Sequence, residues 1–251
     1  MFCVFPTILI IENMSGNRKR VVVFTGAGVS ADSGIATFRD EGGLWAKYRI
    51  EDVCTPQALE LNRDMVLDFY NMRRREVLSK EPNAGHYALV ELEKYFEVDI
   101  VTQNVDDLHE RAGSSRVLHL HGEITKLCST RNHNLIYEID GWEQDPVARA
   151  ADGELLRPFI VFFGEPVPKF EEAVDTASKA DIMIVAGTSL AVYPAASLVG
   201  YVPAASPVYL VDPGNPAIQG INNIRGHIKK NSAEGLPELV KMLKSVVQEK
   251  K

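Results

Sequence analysis

The apolar positions of this chain fall in short, nearly continuous blocks rather than in alternating runs. Residues 21–24, 98–102, 117–120, 159–163, 182–186 and 208–211 each hold three to five such positions, bounded by polar or glycine-rich segments. Blocks of this kind fit strands buried on both faces, and residues 227–230 extend the series more weakly. Between them a 3.6-residue period predicts helices over 62–80, begun at Asn62, over 83–95 and over 233–247. Strands alternating with helices predict an α/β fold, a doubly wound Rossmann-like parallel sheet. Residues 36–80 and 124–157 interrupt the pattern and are read as a smaller inserted module. Residues 15–35, 81–123 and 158–251 then form the larger domain, and 1–14 an extension or a start-site artefact.

On the predicted helix 62–80, Met65, Val66, Phe69, Met72 and Val77 share one arc, with Arg73 at its centre and Tyr70 near its margin. Arg74 and Arg75 turn away. An arginine on an apolar stripe needs an acceptor. Taken alone it reads as a buried stem with its head in water, or as a structural ion pair.

Composition narrows the classes. With 251 residues, 45% of them hydrophobic, the chain has ample material for a core. A formal net charge of -7 gives the bulk surface no footprint for nucleic acid or anionic lipid, so neither nucleic-acid nor membrane partners are expected. Cys3, Cys54 and Cys128 are odd in number and widely spaced, which fits a reducing cytoplasm rather than a disulfide framework. The apolar start of the chain lacks a basic region and a cleavage site, and it is too short to span a bilayer.

Two places gather chemistry. The block at 21–24 passes through Thr25 into Gly26-Ala27-Gly28-Val29-Ser30-Ala31, a G-x-G-x-x-A turn between a strand and a helix start. Such a turn lets backbone approach a phosphate, and free N–H groups at the helix start attract the anion. The continuation over 33–43 departs from a hydride-transfer enzyme. It is a glycine-punctuated loop carrying Phe38 and Arg39, and it reads as a cover over the ligand. The block at 98–102 runs straight into Gln103, Asn104, Asp106, Asp107 and His109. That puts amides and carboxylates at the edge where open α/β sheets bind ligands, although Asn and Asp also serve as loop caps. His119 and His121 end the next strand, and spacing alone does not rank them against His109.

Taken in order, GAGVSADSGIATFRD, TQNVDDLHERAG, LHLHGE, FFGEPVP and AGTSLAVYP resemble the sirtuin family of NAD-dependent protein deacylases, over roughly residues 20–243. The resemblance implies that NAD is consumed as a co-substrate, the acyl group of a modified protein lysine passing to ADP-ribose as nicotinamide leaves. Gly26, Ala27, Gly28 and Ser30 would cradle the phosphates, with Phe38 and Arg39 shielding the ribose. Gln103, Asn104 and Asp106 would line the nicotinamide pocket, positioned to orient a neutral amide and stabilise developing positive charge. His121, in the family's His-Gly pair, would be the general base, while His119 better fits a satisfied core residue. Gly187, Thr188 and Ser189 would meet ribose and phosphates. Asp212 stands where many members carry asparagine for the adenosine ribose, and Ala233 near the adenine pocket. The segments holding Val161, Phe163, Gly164 and Glu165, and Gly187 to Val192, would sandwich an extended peptide of an acylated protein as an added strand.

Tyr70-x-x-Arg73 resembles the class that removes acidic acyl groups such as succinyl and malonyl. A guanidinium assisted by a phenol in an apolar pocket suits a distal carboxylate. Cys54 replaces a small alanine usual in that class and narrows the acyl channel, so deacetylation is expected to persist. The resemblance also leads one to look for two cysteine pairs holding zinc after His121. Only Cys128 stands there, with His133 the one other strong candidate, and a closed structural site takes four ligands. No metal is expected; Leu135, Ile136, Tyr137, Ile139 and Trp142 would form the module's core instead. The competing readings are ADP-ribosyl transfer or NAD hydrolysis, against which Tyr70 and Arg73 weigh, and a non-catalytic sensor, against which His121, Asn104 and Asp106 weigh.

Overall fold

A computed structural model describes residues 18–37, 47–218 and 220–248. Phe38, Arg39 and Cys3 lie outside the described residues. Strand β1 (Arg20–Thr25) leads into a one-turn helix α1 (Gly28–Ala31), followed by α2 (Ile50–Val53), α3 (Pro56–Leu61), α4 (Arg63–Leu78) and α5 (Ala84–Leu92). Then come β2 (Glu97–Thr102), α6 (Leu108–Ala112), β3 (Val117–His119), β4 (Gly122–Ser129), β5 (Ile136–Glu138) and β6 (Leu156–Ile160). Helix α7 (Phe170–Ser178), β7 (Ile182–Ala186), a 3-10 segment (Ala195–Tyr201), β8 (Val208–Val211), β9 (Ile224–Ile228) and α8 (Ser232–Gln248) complete the order.

Six strands form a parallel sheet in the order β3-β2-β1-β7-β8-β9. Its centre follows from the apolar blocks. Val22 registers with Asp99 on one side and Met183 on the other, and residues 21–25 and 182–186 are buried throughout. The two-residue period sends Val21 and Val23 to the layer packed by Leu89, Leu92, Leu236 and Leu239 of α5 and α8. Val22 and Phe24 go to the opposite layer, with Ala173 and Ala177 of α7 and Leu198 of the 3-10 segment. This is the expected doubly wound sheet. Among the described residues no helix is long and apolar enough to cross a membrane.

Helix starts are fixed by side chains. Thr55 accepts the Ala58 N–H in front of α3, and Asn83 makes a reciprocal capping box with His86 at α5. Asn62 is the N-cap of α4 as expected, but its side chain makes no cap bond.

The apolar run at 159–163 was expected as a strand; the strand falls instead at Leu156–Ile160, antiparallel to β4 in a separate three-stranded sheet β5-β4-β6. Leu127, Ala150 and Leu156 fill this small core, flanked by Leu135, Tyr137 and Ile139. Ile136 and Trp142, expected there, are exposed: Ile136 because β5 is an edge strand whose neighbouring residues turn to the other face, and Trp142 because it lies beyond β5, with the Arg75 guanidinium over its ring.

Helix α4 corrects the expected arc. Met65 and Met72 face outward, while Leu67 and Arg74 are buried, because α4 packs against α2 and α3 as well as against the sheet strands β4 and β6. Arg74, expected to turn away, is 0% exposed. Its Nε donates to Ile124 O at 2.7 Å, and its Nη1 to Asn71 Oδ1 at 2.9 Å and Trp142 O at 2.8 Å. Burial without a carboxylate lowers its guanidinium to about 10. Arg74 is thus a neutral-acceptor clamp that fixes the small sheet to α4.

Candidate active site

The chain order reverses between β1 and β7, and a crevice lies over the loops that leave these neighbouring strands. Its floor is built by glycines packed on each other. Gly26 N donates to Ala186 O at 3.1 Å and Gly28 N to Gly187 O at 2.9 Å. A Cβ at Gly28 would sit 2.8 Å from Gly187 Cα; one at Gly187, where φ is +59°, would sit 2.4 Å from Val29 N. The G-x-G turn is therefore required first by this backbone contact. The expected row of free N–H groups at the helix start is not what the structure holds. Helix α1 is a single turn, and Val29 and Ser30 donate to Gly26 O and Ala27 O.

The crevice encloses about 500 Å³. One end is walled by Asp212, Gly214, Asn215, Asn231 and Ser232, the middle by Gly26, Ala27, Gly28, Gln103, Asn104, His121, Gly187, Thr188 and Ser189. The far end holds Cys54, Tyr70, Arg73, Val161, Phe162, Phe163, Gly164, Glu165 and Val192. Ser30 and Asp106 stand just behind the wall, both buried. Ala233 is not in the wall. Its N–H donates to Asp32 Oδ2 at 3.1 Å, and the residues before it, Asn231 and Ser232, line the crevice in its place. The sequence signal for them was the Asn-Ser pair opening the last helix.

The amide cluster is held from behind. Ser30 Oγ donates to Asp106 Oδ2 at 3.0 Å and accepts from Asn104 Nδ2 at 3.1 Å. Asp106 Oδ1 accepts the Leu108 N–H, and burial raises its carboxyl above the usual range. Asn104 N donates to Thr102 Oγ1 at 3.0 Å, and Gln103 Nε2 donates to Thr188 Oγ1 at 3.0 Å. The last of these bonds joins the β2 loop to the β7 loop across the crevice. Asp212 Oδ1 accepts the Gly214 N–H at 2.8 Å, shaping the turn at the other end.

Hydrogen-bond roles now rank the three histidines. His121 Nδ1 faces Gln103 O at 3.1 Å; a carbonyl only accepts, so Nδ1 carries the proton and Nε2 is the basic atom. Burial lowers this imidazole below 6.5, keeping it neutral near pH 7. His119 faces Asn104 O and Glu110 Oε1, each at 2.8 Å, so both ring nitrogens are committed. Burial alone would lower its pKa, but the Glu110 carboxylate outweighs that and the net shift is upward. His109 is buried and faces Thr25 Oγ1 at 3.1 Å. Of the three, only His121 lines the crevice.

At the far end Tyr70 is buried, stacked on Phe162 with ring centroids 5.7 Å apart, and its hydroxyl donates to Cys54 Sγ at 3.2 Å. Burial pushes this phenol well above 10 and raises the Cys54 thiol. Arg73 Nη1 donates to Glu76 Oε2. Burial lowers its pKa, against the opposing fields of Glu76 and Asp106. Glu165 was expected to meet substrate, but its carboxylate is committed to Arg157 Nη1 at 2.5 Å and Nη2 at 3.1 Å, and to Phe162 N at 2.7 Å. The Arg157 guanidinium lies 3.9 Å over the Phe162 ring. Glu165 thus braces the segment that carries Val161, Phe163 and Gly164.

Residues 26–194 match the Sir2 family. A "NAD-dependent protein deacylase" of Bacteroides thetaiotaomicron is 51% identical over 230 residues, covering 90% of this chain and 98% of that protein. A Sir2 homologue solved with ADP-ribose superposes with a TM-score of 0.84 at 37% identity, covering 92% of this chain and 94% of that one. A Sir2 protein bound to acetylated peptide gives 0.74 at 29% identity, over 90% and 94% of the two chains. The matched span runs from the first glycine of the crevice floor to the loop after β7, and the chain belongs to the Sir2 family.

Proposed function

We propose that this protein removes acyl groups from protein lysines at the expense of NAD, producing nicotinamide and O-acyl-ADP-ribose, and that it favours succinyl and malonyl over acetyl. The observation that carries the reading is the order of groups along one crevice. A neutral His121 and the Asn104 cluster share the middle of the crevice with the glycine floor, next to an apolar end holding Tyr70 and Arg73.

The donor set fits a dinucleotide. Asn215, Asn231, Asp212, Thr188 and Ser189 offer amide, carboxylate and hydroxyl groups suited to ribose hydroxyls, and the Gly26-Ala27-Gly28 strip, with no side chain larger than a methyl, gives close access to a pyrophosphate. NAD supplies the ribose carbon that accepts the acyl oxygen and the nicotinamide that leaves. Gln103 and Asn104 orient the nicotinamide amide, while Asp106 acts from behind the wall, holding the Ser30 hydroxyl that fixes the Asn104 side chain. His121 Nε2 takes a proton from a ribose hydroxyl, and Gln103 O holds the imidazole in the tautomer that permits it. Val161, Phe163 and Gly164 on one side and Val192 on the other receive an extended peptide. Phe38 and Arg39, outside the described residues, are proposed to keep water from the ribose.

The small module is proposed to hold together without zinc. Cys128 is buried with its thiol facing Pro158 O, and burial raises it to about 11, which disfavours the thiolate a metal takes. His133 faces the Arg157 guanidinium. Stoichiometric zinc in elemental analysis of purified protein would refute this.

Incubation with NAD and matched succinyl, malonyl, acetyl and unmodified peptides tests the whole reading. Acyl-dependent nicotinamide release, with O-acyl-ADP-ribose found by mass spectrometry, is expected. Nicotinamide release indifferent to peptide would establish NAD hydrolysis instead, and ADP-ribose attached to protein would establish transfer. Arg73→Met should abolish the preference for acidic acyl groups.

A further inference from the structure

Both groups assigned to an acyl carboxylate are already engaged inside the protein. The Tyr70 hydroxyl donates to Cys54, and Arg73 donates to Glu76. The two partners of the ion pair differ in freedom: the Arg73 side chain is 5% exposed and that of Glu76 is 29% exposed. The guanidinium is fixed in the pocket wall, whereas the carboxylate reaches solvent and can move into it. Glu76 also accepts the Ala36 N–H through its other oxygen, at 3.4 Å, which holds it beside the chain that runs on to Thr37 in the crevice wall.

A succinyl group brings a second anion to a guanidinium that Glu76 already neutralises and that also lies in the field of Asp106. Its carboxylate therefore competes with Glu76 for that charge, one charge-assisted pair against another of the same kind. An acetyl group, having no charge, does not compete. We propose that Glu76 is a specificity-determining residue, an internal carboxylate that competes with acidic acyl groups for Arg73 and so sets how strongly the enzyme prefers them. This rests on the acidic-acyl reading of Tyr70 and Arg73.

The test is the ratio of kcat/KM for matched succinyl and acetyl peptides with saturating NAD. Glu76→Gln keeps the size and removes the competing charge, so the succinyl-to-acetyl ratio should rise about tenfold, chiefly through a lower KM for the succinyl peptide. The rise should vanish in the Arg73→Met background. Glu76→Ala provides a second variant should Glu76→Gln fail to fold, and thermal melting confirms which variants are native. If Arg73→Met lowers the ratio while neither folded Glu76 variant raises it, the competition is overturned and the acidic-acyl reading stands. If Arg73→Met leaves the ratio unchanged, the acidic-acyl reading itself is overturned, and this inference with it.

Discussion

His86 and His109 meet edge to face inside the protein, with ring centroids 4.9 Å apart and complementary hydrogen-bond roles. His86 Nδ1 accepts the Asn83 N–H, so its Nε2 carries the proton. The Thr25 hydroxyl donates to Thr102, so it accepts from His109 Nε2, and His109 Nδ1 keeps a lone pair. The remaining donor and acceptor are both buried without another partner. A second proton on either ring would have no acceptor, and burial lowers His86 to about 4 and His109 well below 6.5.

The pH dependence of stability follows from these two rings. Above 6.5 both are neutral in the folded and unfolded chain, and their contribution is complete. Below it the unfolded chain binds protons that the folded chain refuses, so stability falls by about 1.4 kcal/mol per pH unit for each ring until the folded values are reached. His119 has the opposite sign, since its raised value adds stability at low pH that is lost as pH rises through it. His121, also lowered by burial, acts in the same direction as His86 and His109, and three rings against one leave a net fall. Urea midpoints at pH 7.5, 6 and 5 should decrease in that order, and a flat profile would contradict the assignment.

Gly187→Ala should lower stability by at least about 3 kcal/mol, since the left-handed backbone and the clash with Val29 N act together. Gly141 separates the two effects: it has φ of +76° with nothing near its Cβ position, so Gly141→Ala should show only backbone strain of about 1 kcal/mol. Urea unfolding of both variants measures the difference, and equal losses would mean that the glycine contact carries no weight.

Arg74→Met should lower stability by about 2–4 kcal/mol, because Ile124 O and Trp142 O lose their donor inside the protein. Asn71 Oδ1 keeps the Gln144 N–H and is less affected. Arg74→Lys should recover only part of the loss, as one ammonium does not span acceptors that a planar guanidinium reaches together. Thermal unfolding distinguishes the three proteins; an unchanged melting temperature in Arg74→Met would show that the carbonyls find other donors.

His121→Ala should reduce kcat by about 10²–10⁴-fold while NAD binding, read by calorimetry, is retained. In the unaltered enzyme the acid limb of kcat/KM should have its midpoint below 6.5, because burial lowers this imidazole. A midpoint above 6.5 would assign the limb to another group.

The large sheet was legible because its strands are buried on both faces and so appear as unbroken apolar blocks, as at 21–24 and 182–186. The site was legible in its loops, since Gln103, Asn104, His121 and Thr188 all follow strand ends on one edge. Three things were not. The partner of Gly28 is Gly187, far along the chain, and no local pattern announces a contact between two backbones. The burial of Arg74 escaped the helical period because α4 is covered on two sides, so a single arc misassigns it. The strand at 156–160 begins with a leucine, an arginine and a proline, and it yielded in the sequence to the more apolar run just after it.

The strand order also bears on how the chain comes off the ribosome. Strand β1 is made early, yet one of its two sheet neighbours is β7, whose residues 182–186 emerge some 160 positions later. Throughout that interval Val21 to Phe24 present an open hydrogen-bonding edge, and Val22 and Phe24 still lack Leu198 and Val199 of the layer that covers them, the combination most prone to pair with another chain. The nascent protein is therefore most vulnerable before its C-terminal third is synthesised, and truncations ending before Ile182 should be recovered as aggregates rather than as smaller folded units.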